Sequence, residues 1–400
     1  MTNEAFIRAH RDADVRRLAL RRAPEGVDLT WCLQQIEGWQ TACRKLPRWA
    51  RTEGLHYPPS LSLEQCSSEE TARYKQSLVE RLLPASDRCL LVDLTGGLGV
   101  DFSFMARSFR EATYVELLPH LRDLARHNLP LLGLPQARVC APDEASTDGA
   151  SLLYIDPARR DTAGRKTVAL EDCTPNVVEL QDAWQAPYVV IKLSPMLDIA
   201  QALRSLRGVR EVHVVGVRGE CKELLLVRGL AQGEEPEEVV YRCVNLPEGL
   251  PFVCTASERR QRPDLLPLPL EEREPVYLFE PNASLLKGGC QDAFAARHGL
   301  QKLHPMSNLY ITCSLPLVEE LSGGWGRFFS VASWGDFSKA SLKRLTAGLR
   351  QANLTVRNFP ESVATLRKRL RLSEGGDTYL FATTLADGSR YLIRCRKVSS

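Results

Sequence analysis

The chemistry in this 400-residue chain gathers where apolar runs stop on acids. "LLVD" ends on Asp93 and passes into "LTGGLGVD", so Asp93 and Thr95 precede Gly96, Gly97 and Gly99, and Asp101 follows them. Glycines between a strand and a helix let backbone approach a ligand closely and aim the N–H groups of the helix start at it. Glu116 ends the next apolar run, where a carboxylate can accept hydrogen bonds from two ribose hydroxyls. Asp143 closes the third run, near where an adenine would lie. The spacing is not G-x-G-x-x-G, and the loop holds no lysine to meet a triphosphate. A carboxylate at Asp93 repels phosphate and suits an amino group. Three acids on successive strand ends therefore favour a nucleoside with a cationic tail, and S-adenosylmethionine fits that description. A glycine-rich turn with solvated acids is the plainer alternative.

A second focus is "SLLYIDPARRD", residues 151–161. The apolar run stops on Asp156 and Pro157, and a proline cannot donate to a sheet ladder, so the chain must leave the sheet there. Arg159, Arg160, Arg165 and Lys166 follow in a basic loop, which suits a phosphate-backed substrate or is simply a solvated loop. The run "YVVIKLS" delivers Lys192 and Ser194 to the end of the next strand.

The elements that must position these residues have a readable order. Residues 1–83 carry apolar residues at helical spacing, and "SSEETARYK" opens a helix with Ser67 and Glu70 at capping-box spacing. From 84 to 232, short apolar runs alternate with helical stretches, as in a doubly wound parallel sheet. The last two runs, "VREVHVVGV" and "ECKELLLVRG", lie too close for a crossover helix and must form a hairpin. The expected fold is thus α/β: a seven-stranded Rossmann-like sheet of six parallel strands and one antiparallel. An N-terminal helical region precedes it and a smaller α+β part follows. Residues 233–330 read as a linker and a ferredoxin-like α+β segment, the Pro-rich stretch 235–274 being a linker or a strand-bearing excursion, and 331–400 as a basic C-terminal domain with a hairpin about Asp387-Gly388.

Composition sets the bounds. No apolar run approaches the ~20 residues of a membrane span, and the charged amino terminus lacks the apolar core of a secretory signal. The twelve cysteines include no C-x-x-C pair and no cluster with histidine, so neither zinc nor a disulfide framework is indicated, and a reduced, cytoplasmic protein is the simplest reading. Residues 331–400 hold thirteen Lys and Arg against five Asp and Glu, +8 for that stretch, although the whole chain carries only +3. Such an end is either a surface for a polyanion or a solvated helix face.

"VDLTGGLGVD", "YVEL", "YIDPARRD" and the C-terminal hairpin together resemble class I S-adenosylmethionine-dependent methyltransferases. Within these the resemblance is to the bacterial group with a THUMP-like C-terminal domain, and it spans nearly the whole chain. It implies that Thr95, Gly96, Gly97 and Gly99 bind the methionine part of the cofactor and Glu116 its ribose. The stretch 64–75 is similar to the segment preceding the catalytic fold of trimethylguanosine-synthase-like enzymes, which implies that Gln65, Ser67 and Ser68 help to wrap the cofactor. Asp93, Asp101 and Asp143 complete the expected cofactor set. Asp156-Pro157 would face the sulfonium methyl, with Arg159, Lys192 and Ser194 lining the acceptor pocket.

Amino-methylating relatives carry Asp/Asn-Pro-Pro and an aromatic residue at this place. Their carboxylate or amide oxygen and the next carbonyl orient an exocyclic amine, and the ring stacks on a flipped base. Here Ala158 and Arg159 replace the second proline and the aromatic residue. Methylation at a base carbon would need a cysteine after the fifth strand, where "IKLSPM" has none, and Cys173 is the only one nearby. The expectation is a metal-free, in-line methyl transfer to a base of structured ribosomal or transfer RNA, an exocyclic amine being favoured. The alternatives are a protein or small-metabolite methyltransferase and an RNA-binding protein with a vestigial cofactor site.

Overall fold

A computed structural model gives the fold and describes residues 1–158, 170–229, 237–247, 250–267, 275–322 and 324–398. The chain separates into two compact units. One holds Met1–Arg210 and the stretch from Leu225; the other holds Glu211–Leu224 and the chain from Glu237.

The first unit begins with helices. Leu29–Lys45 is the longest, started by Asp28, whose carboxylate accepts the Trp31 N–H. Its buried face meets Trp49, Tyr57 and Leu63 in one apolar cluster with Ala72, Val100 and Phe104. Helix Glu69–Leu82 follows, and Ser68, not Ser67, is its N-cap, accepting from the Thr71 N–H. The capping-box spacing of Ser67 and Glu70 therefore misplaces the helix start by one residue. Ser67 is released for a different partner, described below.

The strands are β1 (Leu90–Asp93), β2 (Glu111–Val115), β3 (Arg138–Cys140), β4 (Leu152–Ile155), β5 (Tyr188–Leu193), β6 (Val209–Val217), β7 (Glu220–Gly229), β8 (Val240–Leu246) and β9 (Phe252–Thr255). They form one sheet in the order β3-β2-β1-β4-β5-β7-β6-β8-β9. β1 pairs in parallel with β2 and β4, β2 with β3, and β4 with β5. Only Arg218 and Gly219, both at positive φ, join β6 to β7, and so short a connection requires an antiparallel pair.

The expected seven strands are therefore extended to nine. β8 pairs in parallel with β6 over seven residues, from Glu211↔Val240 to Val217↔Leu246, and β9 pairs antiparallel with β8. Both strands come from the stretch 235–274, expected to be a linker or a strand-bearing excursion, and it is the second. The physical reason is edge cover: β6 is buried along almost its whole length, and an open edge there would leave a row of backbone groups unpaired.

Within the second unit a seven-stranded sheet holds β10 (Tyr277–Pro281), β11 (Gln301–Lys302), β12 (Tyr310–Thr312), β13 (Gly326–Asp336), β14 (Asn353–Arg357), β15 (Thr378–Thr384) and β16 (Arg390–Lys397). Their order is β11-β12-β10-β13-β16-β15-β14. The β15–β16 hairpin forms as the Asp387-Gly388 signal predicts, whereas the eleven-residue β13 and the parallel β14–β15 pair were not anticipated. Leu278, Phe329, Phe381 and Ile393 pack one face of this sheet, and Leu345, Leu354, Leu366 and Leu392 another cluster. None of the described helices is long and apolar enough to cross a membrane.

Candidate active site

The register of the parallel strands brings the chemistry together. Leu153↔Val189 and Ile155↔Ile191 are paired between β4 and β5, so the next residues, Asp156 and Lys192, emerge side by side. Lys192 Nζ lies 2.6 Å from Asp156 Oδ2. On the other flank of β4, Asp93 of β1 is level with Tyr154. The Thr95 hydroxyl accepts the Asp156 N–H at 2.6 Å, which ties the end of β4 to the glycine loop. Pro157 is buried just beyond, and Ala158 makes a short antiparallel bridge to Thr174, where the chain leaves the sheet.

The loop needs its glycines for different reasons. A Cβ on Gly96 would stand 2.2 Å from the ring of Tyr114, a residue of β2 that is itself fully buried. Gly97 and Gly99 have φ of +57° and +76°, and Gly99 is the N-cap of the helix Val100–Met105. Glu116 follows β2 and grips the loop: one carboxylate oxygen accepts the Gly97 N–H at 2.8 Å and the other the Leu118 N–H at 2.8 Å. Each oxygen keeps a further lone pair for a ribose hydroxyl. These residues fit the expected cofactor. The loop is narrowed against β2, its backbone runs between two acids, and Asp93 behind it is almost fully buried. Burial, reinforced by Asp101 and Asp156, pushes the Asp93 carboxyl up to about 8 despite the Thr95 N–H that it accepts.

Asp101, in the first turn of the helix after the loop, is a hub. Its Oδ1 accepts from Lys75 Nζ at 3.1 Å. Its Oδ2 accepts from Ser67 Oγ at 2.8 Å, from Tyr154 Oη at 2.8 Å and from Lys192 Nζ at 3.4 Å. Burial alone would raise the Asp101 carboxyl, but Lys75 and Lys192 outweigh it and hold the group well below the usual carboxylate range.

The expected residues thus divide. Asp93, Thr95, Asp101, Asp156, Lys192 and Ser67 form one hydrogen-bonded cluster, with Gly96, Gly97, Gly99 and Glu116 along the loop beside it. Ser194 closes its own turn by accepting the Met196 N–H. Gln65 is exposed at the end of the short helix Ser60–Gln65. Asp143 does not end a strand: β3 stops at Cys140, and Asp143 sits exposed in the turn Pro142–Glu144. Arg159 and the rest of the basic loop lie outside the described residues. Cys173 is buried.

Lys75 and Tyr154 were missed. Lys75 had a signal in the sequence, because Ala72, Lys75, Leu78 and Val79 form one buried stripe of their helix. A lysine in an apolar stripe must have a buried partner. Among the described residues no group of three or more His, Cys, Asp or Glu side chains could hold a metal ion.

Comparison with known proteins bears on the whole chain. Residues 326–397 match the THUMP domain-like family, and residues 277–316 match a ferredoxin-like domain family. A candidate methyltransferase of Porphyromonas gingivalis W83, known from its crystal structure, is 33% identical, with 99% of this chain and 98% of that one covered and a TM-score of 0.81. An S-adenosylmethionine-dependent methyltransferase of Mycobacterium tuberculosis, described as uncharacterised, is 26% identical over 335 residues, 82% of this chain and 84% of the relative. Likeness at that identity and TM-score over nearly the full length of both chains leads to one assignment. The chain belongs to the S-adenosylmethionine-dependent class I methyltransferases that carry a THUMP-like C-terminal domain.

Proposed function

We propose that this enzyme methylates a base of structured RNA, ribosomal or transfer, by direct in-line transfer to an exocyclic amine. The observation that carries the reading is the β4 end: Asp156 is fixed to the glycine loop through its own N–H and Thr95, with its carboxylate partly exposed. S-adenosylmethionine supplies an electrophilic methyl group on a sulfonium centre. Thr95, Gly96, Gly97, Gly99, Asp93 and Glu116 would hold the cofactor, Glu116 through its ribose hydroxyls and the enclosed Asp93 by fixing the start of the loop through the Thr95 N–H. Asp156 accepts an N–H of the acceptor and so aims the nitrogen lone pair. It also offsets the positive charge that develops on that nitrogen.

Support for RNA over a protein or a small metabolite comes from the basic tail. Of its thirteen cations, ten are exposed: Lys339, Lys343, Arg344, Arg350, Lys368, Arg369, Arg371, Arg390, Arg396 and Lys397. The other three, Arg357, Arg367 and Arg394, are half-buried. Cations turned outward can meet phosphates.

The test is transfer of tritiated methyl groups to total RNA from a strain lacking the protein, followed by nucleoside analysis. Label in one base-methylated nucleoside is expected. Asp156→Ala should abolish transfer and leave cofactor affinity nearly intact, and unchanged turnover would defeat the role given to Asp156.

A further inference from the structure

Lys75 is wholly enclosed, at 0% exposure, and has no part in the reading above. Besides Asp101, its ammonium donates to Ser67 Oγ at 3.3 Å. Lys192 donates to the same Ser67 Oγ at 3.3 Å, so both cations crowd one carboxylate and one hydroxyl. Lys192 is also divided between two acids, at 2.6 Å from Asp156 Oδ2 and 3.4 Å from Asp101 Oδ2. Apart from Ser67, which lies just before helix Glu69–Leu82, these groups come from four separate places in the fold: that helix, the helix after the glycine loop, and the ends of β4 and β5.

An ammonium N–H on Asp156 makes the contact that an acceptor amine would make. While Lys192 rests there, it holds one lone pair of Asp156 Oδ2 and offsets the carboxylate charge, so an acceptor N–H must share the group with a cation. How firmly Lys192 rests depends on the rival pull of Asp101, and that pull depends on how far Lys75 already answers Asp101. At an effective dielectric of ~20, unit charges about 4 Å apart still interact by several kcal/mol, so each member of this row is felt by the next.

We propose that Lys75 and Asp101 are positioning residues acting through Lys192: they apportion its ammonium between Asp156 and Asp101 and so set when Asp156 is open to an acceptor. This rests on the reading that Asp156 meets the acceptor. In the resting protein Lys75 satisfies Asp101, and Lys192 stays on Asp156 as a stand-in for the substrate. An incoming N–H donor takes its place, and the ammonium transfers to Asp101, its neighbour at 3.4 Å.

The charge beside Asp156 can be read without a substrate. Sinefungin carries a primary amine where the cofactor carries its sulfonium methyl, and S-adenosylhomocysteine carries no charge there. Titration calorimetry of the full-length protein with both gives an affinity ratio, sinefungin over S-adenosylhomocysteine. Lys75→Met should raise the ratio by about fivefold or more, the lower end of typical couplings between sites, because Asp101 then draws Lys192 off Asp156. Asp101→Asn should lower it, because the rival carboxylate is gone and Lys192 rests more firmly on Asp156. In a Lys192→Met background, Lys75→Met should move the ratio by less than about twofold, since the intermediary is gone.

Opposite shifts in the two single variants, with the Lys75 effect collapsing in the Lys192→Met background, support the relay: general loosening would move both the same way, and the direct effect of a lost charge would persist without Lys192. Shifts of one sign, no shift, or an undiminished Lys75 effect without Lys192 would overturn it. Lys75→Gln removes the charge but keeps a donor, and it serves if the methionine variant does not fold. The acceptor reading fails separately: ratios moving as stated while Asp156→Ala keeps full turnover would sink that reading and leave the apportioning of Lys192 standing.

Discussion

A carboxylic acid that holds its proton near neutrality makes folding itself depend on pH. Asp93 is raised from 3.8 to about 8, chiefly by burial. Between those values the folded chain binds a proton that the unfolded chain does not. The contribution of Asp93 to stability is therefore complete below about pH 4 and is lost as pH rises through 8. Urea unfolding of the wild type and of Asp93→Asn, followed from pH 5 to pH 8, should show the wild type losing ground to the variant as pH rises. Equal slopes would mean that Asp93 is already ionised in the fold. This property was not legible in the sequence, which places Asp93 at a strand end but does not reveal that it is almost fully enclosed. Lys75 was legible as a lysine in an apolar stripe, yet its partner Asp101 lies 26 residues away, and only the folded contact between their two helices joins them.

Among elements, the glycine loop carries the sharpest constraint. Gly96 has negative φ and could tolerate a side chain on backbone grounds, but its Cβ would enter the Tyr114 ring. Overpacking of this kind typically costs about 1–3 kcal/mol. Gly96→Ala should lower the melting temperature by several degrees and weaken cofactor binding, because either the loop or Tyr114 must move. Adding Tyr114→Leu should restore part of both, and failure of the pair to restore either would place the constraint elsewhere. The loop, the alternation of strands and helices, and the β6–β7 hairpin were all readable, because each depends on local chemistry: glycine, period and connection length. β13 was not, and for β8 and β9 the sequence left a linker and a strand-bearing excursion both open. β8 and β9 flank Pro-rich sequence; what makes β8 a strand is the edge of β6, a partner more than twenty residues away, and β9 then pairs on β8. Helical spacing alone also overstates a helix: "SKASLKRLTAGLRQAN" carries it throughout, but only Lys339–Leu345 is helix, and Asn353–Arg357 is claimed by β15.

For the whole molecule, the charge pattern separates a near-neutral body from a basic end whose cations are mostly exposed. If those cations meet RNA phosphates, affinity must fall steeply with salt. Each lost contact should then flatten the dependence of log K on log salt by about 0.7–0.9. Filter binding with Lys343, Arg390 and Lys397 each changed to Ala should show that decrement, with no change in affinity for S-adenosylhomocysteine. A flat salt response in the wild type would instead favour a small-metabolite substrate.

The parallel pairing of β6 with β8 also bears on ancestry. A methyltransferase sheet that ended at β7 and β6 could be joined to any tail by a tether and exchanged for another. Here the segment that leads into the ferredoxin-like and THUMP-like regions is itself woven into the sheet, residue by residue from Glu211↔Val240 to Val217↔Leu246. Removing the tail would strip a seven-residue ladder from β6, so the two halves could not be shuffled at that seam without resealing it. Such a chain is expected to be inherited as a unit, and its relatives should vary by loops within that frame, not by swapping what lies on either side of it.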